Sequence, residues 1–424
     1  MIDIKHLREN PDAYRQAAND KNMKADVDEL MKLDGELLNI TRELQDIRTQ
    51  QNAAGKKIAQ LKGDDKQAAI ETMGALKQKV KDLEDRQAEL QPTFDALMLQ
   101  MPLIPSPEAP VGPDESGNVE VRRVGEPRQF NFEIKDHVEL GESLGIIDIP
   151  RGVKLAGSRN FILCGAGAML HQAVLRLAFD HMVARGFTPM TVPVLVEERV
   201  MEGMGQFPLH RDESYLCERD GLALAGTSEV ALVGYHAEEI LDEAELPCCM
   251  TALSTCFRRE AGAAGKDTRG LYRIHGFDKV EQVVLCKADD ADSATWHERI
   301  IANTEEVMAA LELPYRVIEV CTGDMGQGKY RMYDIETWMP SRGSYGETHS
   351  ASSLHDFQAR RLNIRYRDED GNVQFVHTLN NTVVASPRIL IPLLELNQNA
   401  DGSVTIPEAL RSYMQGMERI EPKA

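Results

Sequence analysis

The chain has 424 residues, 42% of them hydrophobic, and a formal net charge of −20 at pH 7. This length predicts two or three domains, and the negative charge excludes a surface that binds polyanions everywhere. Seven scattered cysteines with no CxxC pair and no Cys/His cluster indicate reduced thiols and no structural zinc. The charged N-terminal segment and the lack of a membrane-length apolar run predict a cytoplasmic protein without a membrane partner.

The N-terminal quarter is dominated by two heptad patterns, after a short helical segment in residues 1–25 with a start signal at Asn10-Pro11. The first pattern consists of Leu30, Leu33, Leu37, Ile40, Leu44 and Ile47. The second consists of Met73, Leu76, Val80, Leu83, Gln87, Leu90, Phe94 and Leu97. Because Leu61–Lys66 reads as a turn, we expect an antiparallel coiled-coil hairpin over about residues 28–98, with arms about 50 Å long.

Positive charge is concentrated around the turn of this hairpin. Between residues 48 and 81, three negative side chains oppose eight positive ones: Arg48, Lys56, Lys57, Lys62, Lys66, Lys77, Lys79 and Lys81. Such a surface is either the ordinary charged exterior of a coiled coil or a contact for a nucleic-acid backbone. Lysines without interleaved aromatic residues suit phosphate and shape contacts better than base recognition.

A proline-rich segment at residues 101–113 ends the helical pattern, because helices do not continue through it. It predicts two domains, 1–110 and 111–424. Beyond it, residues 168–185 read as an amphipathic helix and the residues from Gly186 onward as a strand, which Pro193 places at an edge or interface. Further strands are expected at 316–320, 363–367 and 373–379. The pattern favours an α+β body with an antiparallel sheet and flanking helices.

The stretch Gly323–Lys329 has the glycine and lysine spacing of a phosphate-binding loop. The next residue is Tyr330, where that motif needs the hydroxyl of Ser or Thr for magnesium. The residues that follow alternate like a strand and do not open a helix. We therefore interpret this stretch as something other than a phosphate loop.

Residues 256–284 form a second basic feature, with two apolar strand-like ends around a glycine-rich loop. We expect a hairpin with Arg258 and Glu260 on one strand and Arg273 and Phe277 on the other. Arginines suit phosphates or carboxylates, because the guanidinium donates two parallel hydrogen bonds. The alternative from charge alone is an ordinary basic hairpin with a solvated tip.

Three more stretches carry groups that suit the same chemistry. Thr227-Ser228-Glu229 supplies hydroxyls and a carboxylate, and Glu347-Thr348-His349-Ser350 supplies hard oxygens that suit Mg²⁺. The segment 378–382 leads into Ser386-Pro387-Arg388 at a predicted helix start, a favourable place for an anion. Taken singly, each has another reading, such as a salt-bridge partner for Glu347 or a surface cation for Arg388.

Together these features resemble the bacterial-type seryl-tRNA synthetases, which are class II aminoacyl-tRNA synthetases. The resemblance covers essentially the whole chain. It includes the coiled-coil arm, the linker MPLIPSPEAPVG, and the three class II motifs at Gly186–Val194, Phe257–Glu281 (FRREAGAAGKDTRGLYRIHGFDKVE) and Leu379–Asn397. It implies the class II antiparallel sheet with flanking helices, together with an N-terminal tRNA-binding domain.

The resemblance also implies site residues. Those close to the reaction would be Arg258, Glu281 and Arg388. The ATP site would comprise Arg258, Arg259, Glu260, Arg273, Ile274, Phe277, Glu347, Thr348, His349, Ser350 and Arg388, with Mg²⁺ on Glu347 and Ser350. The serine pocket would comprise Thr227, Ser228, Glu229, Arg258, Glu281, Asn380 and Thr382. Where many members have Asn-Gly-Ser-Gly, this chain has Asn380-Asn-Thr382-Val, which keeps the hydroxyl and adds a methyl group.

The implied activity is that of a serine–tRNA ligase, which forms seryl-adenylate from L-serine and ATP and transfers the seryl group to tRNA(Ser). A host with a selenocysteine tRNA, tRNA(Sec), would supply a second acceptor. The resemblance further implies a homodimer whose basic arm grips the long variable arm of the tRNA by shape.

Two other classes of protein compete with this interpretation. A synthetase-like ligase that loads a carrier protein would lack the long basic arm. A catalytically inactive coiled-coil protein would have lost at least one phosphate-binding arginine, whereas Arg258, Arg273 and Arg388 are all present.

Overall fold

The computed structural model describes residues 1–58, 61–263, 265 and 267–423, and the side chains of Lys57, Ile58 and Ala263 lie outside this description. The chain divides into two compact units. One comprises Ile2–Asn19 and Met23–Pro102, and the other comprises Met1, Asp20–Asn22 and Leu103–Ala424. The domain limits 1–110 and 111–424 stay predictions. Among the described residues, no helix has both the length and the apolar character needed to cross a membrane.

The first unit is helical, with α1 (Ile4–Glu9), α2 (Pro11–Asp20), α3 (Val27–Ile58) and α4 (Gly63–Gln100). Proline at the first position of α2 matches the predicted start signal, because its missing N–H needs no helical partner there. The segment expected to hold one short helix therefore holds two.

Helices α3 and α4 form the predicted antiparallel hairpin. Glu36 pairs with Arg86 and Glu43 with Lys79, both at 3.3 Å, so the chain directions are opposed. Every apolar residue of the first heptad pattern is buried, whereas most of the second pattern is partly buried against it. The coiled-coil arm that the heptads predicted is confirmed.

The second unit is built on an eight-stranded sheet with smaller sheets and helices around it. Its helices are α5 (His137–Leu144), α6 (Ile149–Ala156), α7 (Ala166–Ala184), α8 (Glu198–Gly203), α9 (Glu229–Gly234), α10 (Asp290–Ala310), α11 (Phe357–Leu362), α12 (Leu390–Leu396) and α13 (Glu408–Arg411). Its strands are β1 (Val119–Val124), β2 (Ile147–Asp148), β3 (Ile162–Leu163), β4 (Thr188–Met190), β5 (Leu195–Glu197), β6 (Tyr215–Cys217), β7 (Leu222–Leu224), β8 (Ile240–Asp242), β9 (Cys248–Phe257), β10 (Gly276–Cys286), β11 (Tyr315–Glu319), β12 (Arg331–Met339), β13 (Ser344–His355), β14 (Arg365–Arg367), β15 (Val373–Phe375), β16 (His377–Ser386), β17 (Val404–Thr405) and β18 (Arg419–Ile420).

The large sheet has the strand order β1-β11-β12-β13-β16-β10-β9-β4. All of its neighbouring pairs are antiparallel except β4 with β9. Helices α7 and α10 cover one face, where Val280, Val284 and Leu379 enter the main hydrophobic core. This arrangement confirms the predicted α+β class with an antiparallel sheet.

Two segments of this unit, the one after Gly186 and the loop Gly323–Lys329, have specific sequence predictions. The strand expected from Gly186 onward is two short strands, β4 and β5, in different sheets, because Pro193 between them cannot donate to a ladder. After the loop Gly323–Lys329, β12 begins at Arg331, so the strand-like alternation there is confirmed. Buried Lys21 donates to the main-chain oxygens of Gln327 and Lys329, which closes that loop on itself.

Candidate active site

The alternation of β10 decides which of its side chains face away from α7 and α10. Val280, Gln282 and Val284 point toward these helices, where the Gln282 amide donates to the Ile300 carbonyl of α10 at 2.8 Å. Because successive residues of a strand face opposite sides, Lys279 and Glu281 lie on the other face. The strand therefore separates a core side from a polar side.

Strand β16 extends the polar side next to β10. Glu281 is the register partner of Thr382, and cross-strand partners point the same way. Asn380, two residues earlier, shares this face, whereas Asn381 between them turns to the α10 side and accepts from Thr304 at 2.6 Å. Only alternate residues of the predicted Thr378–Thr382 segment therefore reach the site.

The residues between β9 and β10 differ from the prediction. Arg258, Glu260 and Arg273 do not lie on the hairpin strands, because β9 ends at Phe257 and β10 begins at Gly276. They come from the connecting loop, where Arg273 donates to Glu260 at 2.7 Å and Glu260 has a φ of +56°. Of the four residues expected on the strands, only Phe277 is on one, and its ring lies 5.3 Å from the Arg258 guanidinium.

A bulge in β13 places the two predicted magnesium ligands together. His349 pairs with Ile335 and Glu347 with Glu336, so Thr348 has no partner in the register. The extra residue turns Glu347 and Ser350 to the same face although they are three apart. The Thr348 hydroxyl bonds to Thr337 at 2.7 Å and lies 2.8 Å from His349 Nδ1.

Arg388 lies just before α12 and is fixed by main-chain acceptors. Its Nε donates to the Tyr272 carbonyl at 3.0 Å and its Nη1 to the Glu347 carbonyl at 3.2 Å. The guanidinium also lies 4.6 Å from the centre of the Tyr272 ring. The cation is therefore held beside the Glu347 carboxylate, which is 3.7 Å away.

These elements border a cavity of about 80 Å³ on the polar face of the sheet. Ten of the predicted site residues line it: Arg258, Glu260, Ile274, Phe277, Glu347, Thr348, His349, Ser350, Thr382 and Arg388. A second, more open cavity shares Arg258 and Glu260 with the first and adds Thr227 and Arg273. Arg259 lines neither, and its guanidinium donates to the Asp212 carbonyl at 3.2 Å.

Buried polar groups form a network behind this cavity. Glu229 Oε1 accepts from the Gln358 amide at 2.7 Å and from the Asn380 amide at 2.8 Å. Thr227 Oγ1 accepts from the Glu229 N–H at 3.2 Å, whereas the buried Ser228 hydroxyl has no partner among the described residues. The network fixes one carboxylate oxygen of Glu229 in place.

Glu281 is paired with Lys279, which was not among the predicted site residues. Lys279 Nζ lies 2.5 Å from Glu281 Oε2, and Thr382 Oγ1 is 3.5 Å from the same oxygen. Burial raises the pKa of Glu281, while Lys279 and Arg258 oppose that rise. The signal was in the sequence, because Lys279 falls between Phe277 and Glu281 at the two-residue spacing of one strand face.

Glu347 and Ser350 have the hard oxygens that Mg²⁺ prefers. Asp334, the register partner of Ser350, adds a buried carboxylate whose Oδ1 has no hydrogen-bond partner among the described residues. Burial, with a further contribution from Glu347, raises the pKa of Asp334 well above its ordinary range. This excess of acceptor oxygens fits a divalent cation at this place.

The basic residues of the helical arm belong to the first unit and are exposed where their side chains are described. Arg48 pairs with Glu84 at 2.8 Å and Lys79 with Glu43 at 3.3 Å. The remaining ones, with no ion pair among the described residues, are Lys56, Lys62, Lys66, Lys77 and Lys81. The side chain of Lys57 lies outside the described part of the chain.

Comparisons with known proteins agree with this architecture. Residues 215–397 match the family described as tRNA synthetase class II core domain (G, H, P, S and T), and residues 1–105 match the seryl-tRNA synthetase N-terminal domain. A serine–tRNA ligase of Deinococcus radiodurans is 47% identical over 418 residues, covering 99% of this chain and 98% of that protein.

Two solved structures are similar along the whole chain. The crystal structure of seryl-tRNA synthetase from Pyrococcus horikoshii complexed with ATP has a TM-score of 0.94 and 37% identity, with both chains fully covered. That of cytoplasmic serine–tRNA ligase from Naegleria fowleri in complex with AMP has a TM-score of 0.88 and 29% identity, covering 100% of this chain and 99% of that one. The predicted resemblance is thereby confirmed: the chain belongs to the seryl-tRNA synthetase family, within the class II aminoacyl-tRNA synthetases.

Proposed function

We propose that the chain is a serine–tRNA ligase, which activates L-serine with ATP and transfers the seryl group to the 3′ end of tRNA(Ser). The observation that carries the proposal is the Glu281–Thr382 register pair beneath a cavity bordered by Arg258 and Arg388. It combines acceptors for a small hydroxylated substrate with cations for phosphate. The Deinococcus radiodurans relative named serine–tRNA ligase supports the same reaction.

In the first step, the serine carboxylate attacks the α-phosphorus of ATP, which forms seryl-adenylate and releases pyrophosphate. No protein nucleophile is required, so catalysis consists of positioning and neutralisation of phosphate charge. Arg258 is close enough to both cavities to hold the α-phosphate and the serine carboxylate together. Arg388 neutralises the outer phosphates from a position that its main-chain acceptors already fix.

The ATP base binds against Phe277 and Ile274, with Glu260 as acceptor for the adenine amino group. Arg273 binds the outer phosphates and neutralises their charge. These two assignments require a rearrangement, because Glu260 and Arg273 pair with each other at 2.7 Å in this structure. We therefore infer that ATP exchanges this ion pair for contacts to its base and its phosphates. Arg259, Thr348 and His349 contribute to the same site through the loop and the β13 bulge.

Glu347 and Ser350 would hold Mg²⁺, which would shield the charge of the ATP phosphates. The chain's own contribution is the β13 bulge, which orients both oxygens toward the cavity. Asp334 lies next to Ser350 on the neighbouring strand and supplies a further carboxylate beside the site. The donor set consists of oxygens only, as expected for a hard cation.

Serine is selected by its hydroxyl, which forms hydrogen bonds with Glu281 and Thr382. Alanine lacks this group and forms no hydrogen bond to Glu281 or Thr382, a loss of about 10⁴-fold in comparable sites. Threonine is excluded by its additional methyl group. The Glu229 carboxylate, held by Gln358 and Asn380, binds the substrate ammonium together with the Thr227–Ser228 segment.

In the second step, a ribose hydroxyl at the tRNA 3′ end attacks the seryl carbonyl and releases AMP. The N-terminal domain (1–110) supplies the tRNA contact, and the catalytic domain (111–424) supplies the chemistry. The exposed arm lysines bind the phosphates of the long variable arm of tRNA(Ser). A selenocysteine tRNA with such an arm would also be an acceptor.

We further propose that the enzyme works as a homodimer in the cytoplasm, where its tRNA and ATP are used. The arm of one subunit then binds the tRNA that is acylated in the active site of the other subunit. Sedimentation of the purified chain tests the dimer. A monomer that charges tRNA at full rate would contradict this part of the proposal.

The experiment that tests the reaction has two stages. ATP–pyrophosphate exchange is measured with serine, alanine, threonine and glycine, and purified tRNA(Ser) with and without its variable arm is then charged. We expect exchange with serine alone and charging only of the complete tRNA. A carrier-protein ligase would show exchange without tRNA charging, and an inactive coiled-coil protein would show neither.

A further inference from the structure

A cluster of metal-binding side chains lies outside the proposed active site. One ligand atom each from Asp290, His355 and His377 lies within 4.8 Å of the other two. Asp290 is the first residue of α10, His355 the last of β13 and His377 the first of β16. The serine and ATP chemistry proposed above uses none of these residues.

The two imidazoles are positioned by the sheet. Strands β13 and β16 are neighbours, and the rings are stacked with their centres 4.2 Å apart and their planes 9° from parallel. The nitrogen lone pairs of stacked rings lie in parallel planes, so binding one common ion requires at least one of the two rings to turn. The main chain at His355 has a φ of +44°, which a non-glycine residue adopts only when its surroundings hold it there.

Hydrogen bonding selects the nitrogen that His377 can offer. His377 Nδ1 lies 2.7 Å from the Ser293 hydroxyl, which leaves Nε2 for a ligand. Histidines that bind metals commonly have such a partner on the second nitrogen. His355 Nδ1 lies 3.9 Å from Asp290 Oδ1.

A solvent route reaches the cluster. His355 and Asp290 line a cavity of about 400 Å³ together with Ser353, whose buried hydroxyl has no partner among the described residues. The Asp290 side chain is 79% exposed, so its carboxylate can adjust to an ion that enters from the cavity. The site thus combines two imidazoles from neighbouring strands with a carboxylate at its mouth.

We propose that Asp290, His355 and His377 bind one divalent transition-metal ion, separate from the magnesium of the ATP site. Two imidazoles and one carboxylate suit Zn²⁺ or Co²⁺ better than Mg²⁺, with water completing the coordination. The expectation of no structural zinc rested on the cysteine pattern. It does not address this histidine pair.

The test is binding of Zn²⁺ and Co²⁺ to the full-length, metal-free chain at pH 7.5, by calorimetry for zinc and by visible absorption for cobalt. We expect one site per chain, with affinity about tenfold or more weaker in His355→Ala and in Asp290→Asn. Asp290 is exposed, so its variant leaves folding unaffected. His6→Ala is the matched control, because that imidazole bonds to Tyr14 elsewhere in the chain. Equal binding by all four proteins, or no cobalt spectrum in the wild type, would overturn the proposal.

Discussion

The ammonium group of Lys279 lies 2.5 Å from Glu281 Oε2, and the two side chains are 6% and 2% exposed. This is a buried ion pair two residues apart on one strand, and Lys279 lines the cavity that Arg258 and Arg388 border. Because Glu281 is too deeply buried to keep its charge at low cost, Lys279 stabilises the ionised form that accepts the substrate hydroxyl.

Replacing this lysine should affect both stability and serine activation. Lys279→Met removes the cation that is paired with a buried carboxylate, which we expect to lower the free energy of unfolding by about 3 kcal/mol. Denaturant unfolding measures the change. The double variant Lys279→Met/Glu281→Gln should recover most of the stability but none of the serine-dependent exchange. If the losses of stability in Lys279→Met and Glu281→Gln simply add up in the double variant, the two residues are not coupled.

Thr382→Val tests the hydroxyl contact with almost no change of volume. The valine cannot hydrogen-bond, so we expect kcat/KM for serine in ATP–pyrophosphate exchange to fall about tenfold to hundredfold. Thr382→Ser, which keeps the hydroxyl, serves as the control and should stay near wild-type activity. Unchanged exchange in the valine variant would remove Thr382 from the serine site.

Deleting about residues 35–95, with a short glycine linker between the cut ends, should separate the two steps. The cavity residues all lie in the other compact unit, so seryl-adenylate formation should persist. Charging of tRNA(Ser) should be abolished, because the arm contact is gone. Charging at the wild-type rate by the shortened chain would refute the assigned function of the arm.

A milder change tests the charges alone. Replacing Lys56, Lys62 and Lys66 by glutamine removes three exposed cations that form no ion pair among the described residues. We expect a higher KM for tRNA and a weaker dependence of KM on salt concentration, since fewer phosphate contacts release fewer counterions. The matched control is Lys32→Gln, a lysine that already pairs with Glu29 at 3.1 Å. The same salt dependence in both variants would argue against a phosphate contact.

Buried histidines should make the fold sensitive to mild acid. Burial lowers the pKa of His297 to about 4, so the folded ring stays neutral while the unfolded ring binds a proton below about pH 6.5. The stability that this group contributes is complete above pH 6.5 and is lost as the pH falls toward 4. At pH 5 the loss is about 2 kcal/mol.

The measurement compares wild type with His297→Gln, which keeps an amide donor near the Ala351 carbonyl. Unfolding is followed between pH 7 and 5 in buffer containing a chelator. We expect the wild type to lose more stability than the variant over this interval. Parallel curves would show that His297 is already protonated in the folded protein or does not titrate on unfolding.

Much of the architecture followed from local patterns. Leucines at heptad spacing defined α3 and α4, since their burial needs only one partner helix of matching period. Alternation indicated the antiparallel sheet, and Tyr330 ruled out a phosphate loop. The lysine-rich part of the arm was also evident from the sequence, because clusters of like charge can be recognised in the order of the residues.

Other features depended on register and could not be obtained in this way. The β13 bulge brings Glu347 and Ser350 to one face because consecutive residues of β12 pair with His349 and Glu347 and leave Thr348 without a register partner. The loop position of Arg258 and Arg273 was missed, because strand ends are set by pairing partners and not by local propensity.

The fold class, the arm, the family resemblance and most of the chemistry-bearing residues can be inferred from the order of the amino acids. The pairs Lys279 with Glu281, Glu260 with Arg273, and His355 with His377 are visible only in the folded chain. Period and composition are local properties of a chain. The distance between two charges is set by how separate strands and loops come together.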